Sequence, residues 1–313
     1  MTAEDPAPSR PYLTSWMAGA RPDHPLREPW IWPPFLDAMD QVIGGLEAVQ
    51  PLRLSRKRDA FRSLRSFGAA LELRAELVVG ALLACAGIEF EFAADYPDLV
   101  LGQGNSGIEV GTRAIDDPWA IHDQLEVALA GRPGLHVVLR FDQRPLKVRE
   151  TVVSEVVSSI TAEDYSRPTT TLRFDTARLT VLVTKDVVDG PSSVVIEFQS
   201  EGAELTSHMG EIERELDNKI AEKRRQATKM PTVLLLDVSR VGWAWLRSGS
   251  VWISVLRDKL KGEPYAGLAL MVSTLDSWLP LYFHAVLADG APEALEHVYD
   301  GLAKVYNRAA TSE

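Results

Sequence analysis

Tyr96-Pro97-Asp98-Leu99-Val100-Leu101, followed by Gly107-Ile108-Glu109-Val110-Gly111-Thr112-Arg113, is the stretch whose reading decides the fold. Each half reads as a short apolar strand carrying one carboxylate. The intervening Gly102-Gln103-Gly104-Asn105-Ser106-Gly107 is a turn signal, rich in residues that tolerate tight backbone geometry. The strands are therefore expected to pair as a hairpin that brings Asp98 and Glu109 together. Taken alone, Pro-Asp is a common turn or strand-end feature. Glu109 is more telling, because a carboxylate between Ile108 and Val110 is costly to bury without a partner or a cation. An ordinary hairpin with both acids in solvent is the competing reading.

Upstream, 56–86 reads as one long helix or two in tandem. Leu73, Leu77, Gly80, Ala81 and Ala84 recur at helical spacing, and Gly87 marks a C-terminal stop. Residues 88–92 alternate Ile, Phe and Phe with Glu, the period of a half-buried strand. Downstream, Asp116-Asp117-Pro118 opens a helix over 116–130, with Asp at the cap and Pro in the first turn. The apolar run 135–141 suits a buried central strand. From 56 to 141 the order is helix, three strands, helix, strand.

Farther out, the pattern predicts an amphipathic helix at 147–160. Strands at 170–183 and 193–198 read as an antiparallel addition. A helix over 211–227 carries Glu211, Glu213 and Glu215 early and Lys223, Arg224 and Arg225 late, which suits its dipole. A buried strand at 232–238, a helix at 251–260, strands at 266–272 and 279–287 and a helix at 293–306 complete the chain. Residues 1–52 are rich in Pro and Trp, with a short helix at 35–49; the prolines forbid long regular structure, and the tryptophans suggest packing onto the body. The plan is a Pro/Trp-rich extension at 1–52 and an α/β domain at 53–313 with an insertion at about 147–202.

In element order and in motif, roughly a third of the chain resembles the PD-(D/E)xK nuclease superfamily, whose fold is called restriction-endonuclease-like. The resemblance implies an α/β protein with that core and an added antiparallel β/helical insertion. It implies a nuclease, a hydrolase of DNA phosphodiesters, with Mg²⁺ or Mn²⁺ held by Asp98 and Glu109. Glu76, on the first helix at the margin of its apolar stripe, is the third candidate metal ligand. Alternatively, the Glu72 and Glu76 face is wet, with Glu72 paired to Arg65 or Arg74. By the same analogy the setting is restriction, repair or defence against foreign DNA.

This sequence departs from the family at one position. The family's Lys, two residues after the second carboxylate, is Gly111 here, and glycine neither orients water nor stabilises developing negative charge. Arg113 shares the strand face of Glu109 and offers charge, but its guanidinium stays protonated and cannot act as a base. Lys219 or Lys223, on the later helix, offers a second rescue; Lys223 flanks the Ile212, Leu216, Ile220 stripe, so its stem can pack while its ammonium reaches out. The third alternative is that nothing replaces the lysine. The chain is then a catalytically inactive scaffold that binds nucleic acid or a protein partner.

Arg53, Arg56, Lys57, Arg58, Arg62 and Arg65 form a dense basic cluster, either a seat for phosphates or a solvated helix face. Trp243, Trp245 and Trp252, near Arg240 and Arg247, are candidates for base stacking and better candidates for core packing. The net charge of −11 argues against a surface that clings everywhere to nucleic acid, without excluding a local basic groove. DNA is the expected partner, with RNA and a second copy of the chain as further candidates. Cys85 is the sole cysteine, so there is no internal disulfide and no Cys-based zinc site. No apolar run is long enough for a membrane span, and the acidic start lacks the features of a signal peptide, so the cytoplasm is the expected location.

Overall fold

The computed structural model describes the chain except residues 1–8, 28–32, 66, 103–104, 113–120, 123–124, 126–127, 130–131, 143–147, 149, 164, 166, 186–191, 199–204, 238–248, 274–276 and 311–313. The protein is α/β with two mixed sheets, in two compact units: residues 1–113 with 213–313, and residues 114–212.

In the first unit, the predicted tandem helices are α3 (Leu54–Arg62) and α4 (Phe67–Cys85). Helix α4 stops where the sequence indicates. Gly87 takes φ +70°, the Ile88 amide bonds the Leu83 carbonyl, and the Gly87 amide bonds the Ala84 carbonyl. This double closure needs a left-handed residue, which glycine adopts without steric cost. Strands β1 (Phe90–Phe92), β2 (Leu99–Leu101) and β3 (Ser106–Thr112) then form an antiparallel meander.

The parallel neighbour of β3 is not 135–141, which belongs to the other sheet. It is β8 (Thr232–Asp237), in register Ile108 to Val233 and Glu109 to Leu234. A parallel pair needs a long crossover. It includes α6 (Leu205–Ala227), the element immediately before β8 in chain order. Strand β9 (Gly267–Ser273) lies parallel to β8, after α7 (Gly249–Leu260), and β10 (Pro280–Leu287) closes the edge antiparallel to β9. Every residue of β8 is buried, as expected of a strand covered on both faces. Helix α8 (Glu293–Ala310) ends the unit.

Residues 1–52, the Pro/Trp-rich extension, group with this unit. Helix α1 (Pro11–Met17) places Trp16 in full burial, its indole N–H donating to Glu47 Oε1 at 2.7 Å and its ring edge-on to Phe61. Helix α2 (Pro33–Val49) lies close on α4 at Gly80, where a Cβ would come 3.2 Å from Leu46 and 3.0 Å from Phe92.

The second unit has a four-stranded sheet ordered β5 (Thr169–Phe174), β6 (Leu179–Lys185), β4 (Leu135–Phe141), β7 (Ser193–Phe198). β5–β6 and β6–β4 are antiparallel, whereas β4–β7 is parallel, so the addition is mixed and not purely antiparallel. One face packs on α5 (Glu150–Ala162) through Val153, Val156 and Ile160. Ile121, Leu125 and Leu129 join this core at helical spacing; most of the helix expected over 116–130 lies outside the described residues. The inserted unit thus spans 114–212, wider than the 147–202 expected from sequence.

Candidate active site

The hairpin brings the two acids together as expected. Asp98 lies just before β2, and its Oδ2 accepts the Val110 amide at 2.9 Å, fixing its side chain across the hairpin. The close approach depends on Gly107, because a Cβ there would overlap Pro97 Cγ and come 2.9 Å from the Leu99 carbonyl oxygen.

Glu109 is 3% exposed, between the buried Ile108 and Val110. Burial, and then the neighbouring Asp98 carboxylate, push its carboxyl up to about 7, against the pull of Lys223. The Lys223 ammonium donates to Glu109 Oε1 at 2.7 Å. Burial lowers the Lys223 pKa, but Glu109, Asp98 and Glu222 outweigh it and the net direction is upward. Glu76 approaches the same group of charges from α4. Its carboxyl is raised by burial first and by Asp98 second, with Lys57 pulling it down and the exposed Glu72 adding a little.

The structure separates the two candidate lysines. Lys219 is four residues before Lys223 on α6 but donates to Glu222 at 3.0 Å near the surface, so Lys223 reaches the acids and Lys219 does not. Arg113 lies outside the described residues. At Gly111 a Cβ would come 3.2 Å from Leu236 Cδ1, so the space next to the backbone is taken by β8.

The basic cluster mostly staples the unit internally. Arg53 pairs with Glu91 at 2.9 Å and donates to the Phe92 carbonyl, Lys57 pairs with Glu76, and Arg58 pairs with Glu47. Arg62 donates to the Trp16 carbonyl at 3.2 Å. Arg56 and Arg65 are exposed, and Arg65 lies near enough to help lower the Asp23 carboxyl. The wet-face alternative fails for Arg74, which is buried and donates to the Ser277 carbonyl. Trp252 is fully buried and belongs to the core; Trp243, Trp245, Arg240 and Arg247 lie outside the described residues.

Two residues near the acids have a place that the sequence does not signal: Lys57, expected only as part of the basic cluster, and Tyr96, which carries no expected role. Lys57 contacts Glu76 across 19 positions, and no local pattern signals that pairing. Tyr96 directly precedes the Pro-Asp pair, and that adjacency is the one available cue. Burial, opposed by Thr232 and reinforced by Glu109 and Asp98, pushes its phenol up to about 12.

The donor set suits a hard cation in its chemistry: two carboxylates side by side, with Asp98 held by a backbone N–H, repel each other in a way that a divalent ion relieves. Among the described residues, however, no group of three or more His, Cys, Asp or Glu is arranged to hold a metal ion. Asp98 and Glu109 offer a two-carboxylate edge, and Glu76 is turned to Lys57. Magnesium sites commonly use one or two carboxylates and complete their shell with water and substrate phosphate. Among the described residues, no helix is long and apolar enough to cross a membrane. Comparison with protein-family models, with curated proteins and with solved structures found no match to this chain.

Proposed function

We propose that this chain is a Mg²⁺- or Mn²⁺-dependent phosphodiesterase acting on DNA, built on a restriction-endonuclease-like core. The observation that carries the reading is the 2.7 Å contact of Lys223 with Glu109, beside Asp98. It supplies from α6 the ammonium that Gly111 cannot. The order α4, β1, β2, β3, α6, β8, with the 114–212 unit inserted between β3 and β8, supports the same reading.

Asp98 and Glu109 would hold the cation, with Glu76 as an assisting ligand. When bound, the cation would polarise the phosphate and acidify a water. Lys223 would stabilise the negative charge that develops on the phosphate. Lys223 follows Ile220 and Leu216 by three and seven residues, and both are buried, so its stem can pack on that helix face while its ammonium reaches Glu109. Arg56 and Arg65 would meet the nucleic-acid backbone. A cytoplasmic setting fits this function.

Two observations favour a second reading, the inactive scaffold that binds nucleic acid or protein. Position 111 lacks the lysine, and the net charge is −11. Incubating single- and double-stranded DNA with wild type and Glu109→Ala, in Mg²⁺ or Mn²⁺, separates the two. Cleavage that disappears with Glu109 supports the enzyme; a folded wild type that never cleaves supports the scaffold.

A further inference from the structure

Asp98 is near enough to Glu76 on one side and Glu109 on the other for its charge to raise both carboxyls, and each of those two carries an ammonium. Lys223 serves the Glu109 side and Lys57 the Glu76 side. The Lys57 contact is built into the fold. Its ammonium lies over the Phe92 ring, 5.3 Å from the centroid, while it touches Glu76 Oε2. The Lys57 and Glu76 side chains are only 15% and 21% exposed. The start of α3 is pinned to β1 by Arg53, which takes φ +65° and binds Glu91 and the Phe92 carbonyl.

We propose that Lys57 is a positioning residue: it holds Glu76 on the α3 side and competes for that carboxylate with a divalent cation seated on Asp98 and Glu109. This rests on the metal-dependent reading above. An ammonium in contact with Glu76 occupies an acceptor oxygen and also repels an incoming cation. Glu109 already carries Lys223, so a cation there draws on few anionic ligands and a third carboxylate would strengthen its binding, because affinity follows the number of anionic ligands. Among the described residues no three-carboxylate group is arranged for a metal ion, and Glu76 is turned to Lys57. Lys57 thus leaves Glu76 as a ligand held in reserve.

Mn²⁺ binding, followed by the electron paramagnetic resonance signal of the free ion, tests this without substrate or turnover. Lys57→Met is expected to bind Mn²⁺ about tenfold more tightly than wild type, the order set by removing one competing charge from a partly covered site. Lys57→Arg should keep wild-type affinity, and Glu76→Gln added to Lys57→Met should abolish the gain. Should Lys57→Met not fold, Lys57→Gln removes the charge while keeping a donor, with the same expected direction. Unchanged or weaker binding in the folded variant overturns the proposal. If wild type then still binds Mn²⁺ and Glu109→Gln does not, the metal-site reading survives that failure. Binding by Lys57→Met alone supports the proposal. Binding by neither protein overturns both.

Discussion

The two sheets share a device and use it differently. Each has an antiparallel pair and a parallel pair meeting at a central strand, β3 in one unit and β4 in the other. Strand β4 alternates strictly: Leu135, Val137, Leu139 and Phe141 are buried, while His136, Val138 and Arg140 are half-covered. Strand β3 is buried from Ser106 to Gly111, and β8 beside it is buried throughout. A charge on β4 reaches water for free, as Arg140 does in its surface pair with Glu197. A charge on β3 is enclosed, so Glu109 needs Lys223 and its carboxyl is driven up to about 7. A strand covered on both faces thus forces an acid to take a partner and raises its carboxyl, and a half-covered strand leaves its charges in surface pairs.

The largest expected effect that sharpens this contrast is on cleavage. Glu109→Ala should lower the rate at least about a thousandfold, whereas Glu197→Ala on β7 should leave it within about twofold. Equal losses in a DNA-cleavage assay would erase the contrast. Packing gives the next test. Leu234→Ala, in the fully buried β8, should cost about 2–5 kcal/mol in urea unfolding, while Val138→Ala on the open row of β4 should cost under about 1 kcal/mol.

The pH dependence is smaller and has a definite sign. The Glu109 carboxyl is ordinarily near 4.5 and sits at about 7 in the folded protein. Between those values the metal-free folded state keeps a proton that the unfolded chain has released. Its stabilising preference is therefore complete below about pH 4.5 and lost as pH rises through about 7. Glu109→Gln should gain on wild type from pH 4.5 to pH 8 by up to about 3 kcal/mol. A pH-independent difference in thermal or urea unfolding would mean that Glu109 is not titrating in this enclosure.

Much of this was legible in the residues. Gly87 announced the end of α4, the Gly-rich turn announced the β2–β3 hairpin, and Ile-Glu-Val announced a buried acid with a partner. The choice of fourth strand was not. Residues 135–141 and 232–237 are both apolar runs, and the separating cue is the His136 and Arg140 alternation, the period of a strand covered on one side. Mistaking that run for the core strand also misplaced the insertion, since the true crossover helix begins only at Leu205. Lys219 and Lys223 share one helix face by spacing, so the sequence left both open. Tertiary geometry separates them: Lys219 ends on Glu222 and Lys223 on Glu109. The basic cluster read as either a phosphate seat or a solvated helix face because its carboxylate partners, Glu47, Glu76 and Glu91, come from other elements.

The central claim is that Lys223 does the work of the lysine missing at Gly111. Its most direct test is Mg²⁺- or Mn²⁺-dependent DNA cleavage by wild type, Lys223→Met and Lys219→Met, each verified as folded. The account predicts cleavage by wild type, a loss of at least about a hundredfold in Lys223→Met, and a rate within about threefold of wild type in Lys219→Met. Equal rates in Lys223→Met and wild type, or a loss confined to Lys219→Met, would contradict it.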